Sequence, residues 1–130
     1  MIVVDASVIV DLLLRAPGVQ ELDARVFAEG EAIHVPHLMD VEVAQVLRRY
    51  ASRGIISDRR GQMSIELLQQ FPLTRHPHDP LLERIWRLRG NVTAHDAAYV
   101  ALAEGLNAPP LTRDQKLAGV AGHAARIELV

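Results

Sequence analysis

The fold is decided by Ile2-Val3-Val4-Asp5-Ala6-Ser7, in which three apolar residues are followed at once by an acid. The apolar run predicts a short buried strand. A helix is predicted to follow over 6–15, and Pro17-Gly18 ends it. A buried strand that passes directly into a helix is typical of the βαβ unit, so this stretch predicts an α/β protein.

The same alternation of short apolar runs and helix-like segments continues along the chain. Further strands are predicted at 32–35, 73–76, 111–112 and 127–130. Further helices are predicted at 19–28, 36–52, 57–70, 79–89, 93–107 and 115–120. Strands that alternate with helices form a parallel sheet with helices on both faces. We therefore expect a three-layer α/β/α sandwich with a short-stranded, mainly parallel central sheet, and we expect residues 1–130 to form a single domain.

The composition excludes several classes of protein. Hydrophobic residues make up 49% of the chain, which argues against disorder. Cysteine is absent, and this excludes disulfides, thiolate zinc sites and cysteine nucleophiles. There is no signal-peptide pattern and no apolar stretch long enough to span a bilayer, so we expect a cytoplasmic protein with no membrane partner. The net charge of −2 argues against a strongly basic nucleic-acid binder but does not exclude nucleic acid as a partner.

Known catalytic motifs narrow the chemistry further. The chain contains no GxSxG, P-loop or GxGxxG pattern, which counts against hydrolases with a nucleophile elbow, NTPases and dinucleotide-binding enzymes. Its six histidines include no HExxH pair of the kind that binds zinc on a helix. Acidic residues are therefore the main candidates for a functional site.

Four acids stand where a predicted strand passes into a helix, or one turn into that helix: Asp5, Glu42, Asp96 and Asp114. In an α/β protein such positions gather at the carboxyl edge of the sheet, where ligands bind. Carboxylates that meet there repel one another unless a cation holds them. Mg²⁺ or Mn²⁺ is the simplest candidate, because both ions prefer oxygen ligands.

Each of these acids also has a structural explanation. Asp5 and Asp114 could simply cap the helices that follow them. Asp96 forms an approximate capping box with Thr93. However, it also shares a helix face with apolar residues, and a carboxylate on such a face must be paired, coordinated or protonated.

The second acidic position is ambiguous from periodicity alone. Glu42 lies at the edge of the polar face of its predicted helix, where a solvated surface side chain is the simplest interpretation. Asp40 falls on the more apolar side, and it could satisfy backbone amides in the first turn. The helical pattern does not choose between Asp40 and Glu42.

Taken together, four segments resemble the motifs of the PIN domain, in particular the VapC toxin ribonucleases of bacterial toxin–antitoxin pairs. The segments are Ile2-Val3-Val4-Asp5-Ala6-Ser7, Pro36-His37-Leu38 with Glu42 and Val46-Leu47-Arg48-Arg49, His95-Asp96-Ala97-Ala98-Tyr99-Val100-Ala101-Leu102-Ala103, and Leu111-Thr112-Arg113-Asp114-Gln115-Lys116-Leu117. The third is the most specific, although His95 stands where these toxins often carry Tyr. The resemblance selects Glu42 over Asp40.

The resemblance implies metal-dependent hydrolysis of RNA phosphodiesters with Mg²⁺ or Mn²⁺ as cofactor. It implies that Asp5, Glu42 and Asp96 are the main metal ligands and catalytic residues, and that Asp114 completes the site. Ser7 and Thr112 would contact these ligands or the phosphate, unless they only cap helices. The expected partners are RNA, a VapB-like antitoxin and a second copy of the chain in a homodimer. The alternatives are a non-catalytic PIN-fold RNA-binding protein and another Mg²⁺-dependent phosphate hydrolase.

Overall fold

One parallel sheet runs through the middle of the molecule, as a computed structural model describing residues 1–130 shows. The strands are β1 (Ile2–Val4), β2 (Ile33–Pro36), β3 (Leu73–His76), β4 (Pro110–Thr112) and β5 (Glu128–Leu129). Their order across the sheet is β3-β2-β1-β4-β5, and every pairing is parallel. Since β1 is central and lies between β2 and β4, the carboxyl ends of these three strands meet at one edge, where ligands bind in such sheets.

Helices cover the sheet and confirm the expected α/β/α architecture. They are α1 (Ala6–Leu14), α2 (Val19–Val26), α3 (Leu38–Ser52), α4 (Asp58–Gln70), α5 (Leu82–Arg87), α6 (Ala94–Leu106) and α7 (Gln115–Ala118). Helix α6 packs against β1, β2 and β4, and each of its residues from Ala97 to Ala103 is buried. Its alanines allow a close approach to the sheet. None of the helices combines the length and the apolarity that a bilayer crossing requires.

The helices predicted over 19–28 and 115–120 end earlier, at Val26 and Ala118, and two other predictions were wrong at a proline. The helix predicted over 36–52 begins at Leu38, because Pro36 is the last residue of β2 and pairs in register with His76. The helix predicted over 79–89 is divided into a 3₁₀ turn, Asp79–Leu81, and the short helix α5. Pro80 has no N–H, and the Leu81 N–H donates to the His78 carbonyl at 2.8 Å, so this segment begins with the tighter turn.

The irregular segment before β5 is held by Glu104 of α6. The Glu104 carboxylate accepts hydrogen bonds from Arg84 Nε at 2.7 Å, from Arg84 Nη2 at 3.0 Å and from the Ala124 N–H at 3.1 Å. The Arg84 hydrogen bonds hold the pKa of Glu104 below its usual value. One carboxylate therefore joins α5, α6 and the C-terminal segment.

Candidate active site

Asp5 is placed by the end of β1 and the start of α1. Its Oδ1 accepts a hydrogen bond from the Val8 N–H at 3.2 Å, so Asp5 caps α1 as its position predicted. The side chain is also turned into the molecule, and only 7% of the residue is exposed. Burial raises the pKa of Asp5, because a buried carboxylate loses the hydration of its charge. A surface cap would remain in water, and burial therefore points to a second role.

Two hydroxyl groups hold the Asp5 carboxylate in position. Ser7 Oγ donates to Asp5 Oδ1 at 2.5 Å, and Thr112 Oγ1 donates to Asp5 Oδ2. The same hydroxyls accept from the backbone that follows β4, since the Arg113 N–H donates to Ser7 Oγ at 3.0 Å and the Asp114 N–H donates to Thr112 Oγ1 at 2.9 Å. Asp5 and the loop that carries Asp114 are therefore parts of one hydrogen-bonded unit.

Glu42 of α3 is held by a residue that sequence reasoning did not assign to the site. The buried Tyr99 of α6 donates its hydroxyl to Glu42 Oε1 at 2.6 Å. Burial raises the pKa of Glu42, and the charges of Asp96 and Asp5 raise it further. Burial and the Glu42 charge also raise the pKa of Tyr99, so its hydroxyl stays protonated as a donor. The only available signal was the spacing Asp96-x-x-Tyr99, which places both residues on one face of α6.

Asp96 and Asp114 lie farther toward the solvent. Asp96 is half-buried in the first turn of α6, where its backbone N–H donates to Thr93 Oγ1 at 3.3 Å. Burial raises the pKa of Asp96, and the nearby charge of Asp114 raises it further. Asp114 is exposed and caps α7 by accepting from the Lys116 N–H at 2.8 Å. Electrostatic coupling therefore runs from Asp5 to Glu42, from Glu42 to Asp96 and from Asp96 to Asp114.

Asp40 pairs with an arginine of the neighbouring strand β3. Its carboxylate forms a two-pronged ion pair with Arg75 of β3, with Nε to Oδ2 at 2.7 Å and Nη2 to Oδ1 at 3.0 Å. Arg75 also donates to the Leu68 carbonyl at 3.3 Å. Asp40 therefore fastens α3 to β3, whereas Glu42 is the acid of α3 whose pKa is raised by the charges of Asp96 and Asp5.

The donor chemistry of the four acids fits a hard divalent cation, because every available donor is a carboxylate oxygen. No three acidic or histidine side chains converge closely enough to form a preformed metal cage. On Asp5, Oδ1 already accepts from Ser7 and Val8, whereas Oδ2 accepts only from Thr112. A carboxylate oxygen has about two acceptor positions, so Oδ2 is the atom of Asp5 with a free lone pair. Glu42 Oε2 is free in the same sense, since Tyr99 binds Oε1.

A comparison with protein families identifies the family of this chain. The model of the PIN domain matches residues 2–123. This chain belongs to the PIN domain family. Ribonuclease VapC12 of Mycobacterium tuberculosis is 42% identical over 130 residues, which are 100% of this chain and 99% of that protein. The four acids described above therefore belong to a PIN domain, and this domain has a relative that aligns with it over its whole length.

Solved structures share the PIN fold at lower sequence identity. Mycobacterium tuberculosis VapC20, a Sarcin-Ricin loop cleaving toxin, superposes with a TM-score of 0.67 at 15% identity, covering 93% of this chain and 97% of that chain. A toxin–antitoxin complex from Klebsiella pneumoniae gives a TM-score of 0.65 at 19% identity, covering 98% and 99%. At these identities the likeness establishes the fold alone.

Proposed function

We propose that this PIN domain is a metal-dependent endoribonuclease and the toxin of a VapBC-type toxin–antitoxin pair. One observation carries the proposal: at the carboxyl edge of the sheet, Thr112 joins Asp5 to the backbone of Asp114, and Tyr99 joins Glu42 to the helix that carries Asp96. Neighbouring charges also raise the pKa of Glu42 and of Asp96. The similarity to a ribonuclease over the whole chain supports RNA as the substrate. We further propose that the protein acts in the cytoplasm and that residues 1–130 form one domain.

The proposed cofactor is Mg²⁺ or Mn²⁺, with Asp5, Glu42, Asp96 and Asp114 as its ligands and as the catalytic residues. Bound there, such an ion would supply the acidity that activates a water and the positive charge that stabilises the leaving oxygen of the phosphodiester. Asp5 would contribute Oδ2 and Glu42 would contribute Oε2, the oxygens that their hydrogen bonds leave free. Asp96 and Asp114 would close the site on the solvent side.

The protein supplies orientation to this chemistry. Ser7 and Thr112 fix the plane of the Asp5 carboxylate, and Tyr99 fixes that of Glu42. Groups held in advance do not have to reorganise when the substrate binds, and this preorganisation lowers the barrier to reaction. Burial raises the pKa of Asp5, Glu42 and Asp96, and neighbouring acids raise those of Glu42 and Asp96 further. A bound cation would compensate this clustered negative charge.

The proposed partners besides RNA are a VapB-like antitoxin and a second copy of the chain. An acidic site attracts an arginine from an antitoxin, because a guanidinium group pairs with carboxylates through two hydrogen bonds. Several large apolar side chains are exposed on and between α3 and α4, and such surfaces commonly mark protein contacts. They are Val41, Ile55, Met63 and Leu67. Light scattering on the purified chain, alone and with its antitoxin, measures both associations.

The test of the activity uses purified chain, RNA and either Mg²⁺ or Mn²⁺. Cleavage is expected with the metal and none in excess EDTA. Asp5→Asn and Asp96→Asn are expected to abolish cleavage while keeping the fold, as judged by circular dichroism. Asp40→Asn is the matched control, since Asp40 is an acid on the same helix as Glu42 that pairs with Arg75 instead.

Two results would contradict the proposal. One is RNA cleavage that persists in EDTA. The other is cleavage by Asp5→Asn and Asp96→Asn at the rate of the Asp40→Asn control. Metal-dependent binding of RNA without cleavage would indicate the non-catalytic alternative instead.

A further inference from the structure

A separate cavity opens at the starts of the two helices that carry Glu42 and Asp96. It has a volume of about 260 Å³ and lies between the starts of α3 and α6, the 3₁₀ turn and α5. Its walls are four aliphatic side chains and two imidazole rings, namely Leu38, His78, Leu82, Ile85, Ala94 and His95. None of these six residues belongs to the acidic set, and metal chemistry gives no reason for an apolar cavity at this place.

Two residues of the cavity wall are neighbours of the acids along their helices. His95 directly precedes Asp96 in the first turn of α6. Leu38 is one helical turn before Glu42 on α3. A phosphate bound at the acids would therefore have the cavity within reach of the nucleotide attached to it.

We propose that this cavity is a subsite for one nucleobase of the RNA, that of a nucleotide flanking the scissile phosphate. The inference rests on the proposed nuclease function and specifies how its substrate is held. Proteins bind single-stranded RNA by turning bases out of the strand and placing them against aromatic rings and apolar side chains. His78 and His95 supply flat rings, while Leu82 and Ile85 supply apolar surface.

A second copy of the chain is the competing occupant, because α5 also exposes Trp86, which is 67% exposed and lies one turn beyond Leu82. Trp86 does not line the cavity. The two occupants would therefore contact α5 differently. A base in the cavity would contact Leu82 and not Trp86. A second copy of the chain would contact the larger and more exposed Trp86 at least as much as Leu82.

The experiment combines protein variants with altered RNA. Leu82→Ala removes one wall, and Ala94→Leu adds bulk to the cavity from an exposed position. Trp86→Ala is the control from the same helix. The substrates are an RNA oligonucleotide that the chain cleaves with Mn²⁺ and copies of it that lack the base at one of the nucleotides flanking the cut. Cleavage is measured as kcat/KM, and light scattering gives the oligomeric state.

Removing one flanking base is expected to lower kcat/KM by about 5- to 100-fold, the range for loss of one base-stacking contact. Leu82→Ala and Ala94→Leu should lower it by a similar factor on the intact RNA and add little on the abasic RNA, because protein and base changes remove the same contact. Trp86→Ala should cleave both RNAs like the unmodified chain.

Three results would overturn the subsite. The first is that no flanking base affects cleavage, and the second is that the effects of cavity variants and base removal multiply. The third is that Leu82→Ala and Trp86→Ala lose activity equally while a dimer dissociates, which would assign the face to a second copy. All three leave the nuclease function standing, whereas failure of the unmodified chain to cleave any RNA with Mg²⁺ or Mn²⁺ removes both proposals.

Discussion

The hydroxyl of Tyr99 donates to Glu42 Oε1 at 2.6 Å and so joins helix α6 to helix α3 beside the acidic site. Tyr99 is 1% exposed, and it is therefore a fixed point from which the Glu42 carboxylate is oriented. Glu42 is half-buried at the edge of its helix, and without this contact it would be free to turn toward water.

Replacing Tyr99 with Phe is expected to slow RNA cleavage by about 10- to 100-fold, the usual effect of losing a partner that orients a metal ligand. The ring stays in the core, so the free energy of unfolding should fall by only about 0.5–1.5 kcal/mol, the net value of one hydrogen bond. Initial cleavage rates and urea unfolding measure the two effects. Tyr50→Phe, at the far end of α3, is the control and should leave both quantities nearly unchanged; equal rates for the two variants would refute a role for the Tyr99 hydroxyl.

Substitution of Thr112 should strongly affect both stability and cleavage, because its hydroxyl donates to Asp5 and accepts from the Asp114 N–H. Thr112→Val keeps the shape of the side chain but removes the hydroxyl, so Asp5 and the Asp114 N–H each lose a hydrogen-bond partner. We therefore expect the free energy of unfolding to fall by about 1–3 kcal/mol. We also expect about 10- to 100-fold slower cleavage. Thr112→Ser retains the hydroxyl and should recover most of both. If Val and Ser variants behave alike, the hydroxyl has no such role.

Metal binding should stabilise the folded chain in a way that depends on Asp5. An ion that binds only the folded state adds about 2.7 kcal/mol when its concentration is 100 times its dissociation constant. The melting temperature should therefore rise with added Mn²⁺ in the unmodified chain and much less in Asp5→Asn. Because burial raises the pKa of Asp5, Glu42 and Asp96, the shift should shrink as pH falls and protons compete with the ion. Calorimetry at several pH values tests this, and an equal shift in both proteins would contradict it.

The contact between Glu104 and Arg84 should make stability pH-dependent in acid. Arg84 lowers the pKa of Glu104 in the folded chain, so this carboxylate contributes stability above its unfolded-state pKa of about 4.3. That contribution is lost as pH falls through the lower, folded-state value. Glu104→Gln should cost about 1 kcal/mol at neutral pH, given that Arg84 is partly exposed. Its difference from the unmodified chain should decrease below about pH 4, as urea unfolding at each pH would measure. A difference that is constant over this range would exclude the ion pair as its cause.

Much of this molecule could be predicted from local patterns. Apolar runs between turn residues located the strands. The helix predicted over 57–70 begins at Asp58, directly after Ser57, whose Oγ accepts from the Arg60 N–H at 3.0 Å. These features depend on residues a few positions apart, and local physical chemistry decides them. Two of the wrong boundaries fell at Pro36 and Pro80, where strand pairing and a 3₁₀ turn replaced the expected first turn of a helix.

The candidate site was only partly predictable. The choice of Glu42 over Asp40 depends on Arg75, which lies on β3 and captures Asp40. The contribution of Tyr99 depends on α6 passing over the sheet close to α3. Both are contacts between residues far apart in the chain, and single-sequence periodicity carries no information about them.

The parallel pairing of β1 with β4 has a consequence for synthesis. Asp5 is made long before Thr112, yet the Thr112 hydroxyl fixes its Oδ2. A nascent chain therefore cannot assemble the site until the segment with Thr112 and Asp114 has left the ribosome. The translating machinery, itself built of RNA, would meet the proposed nuclease only after that segment has emerged.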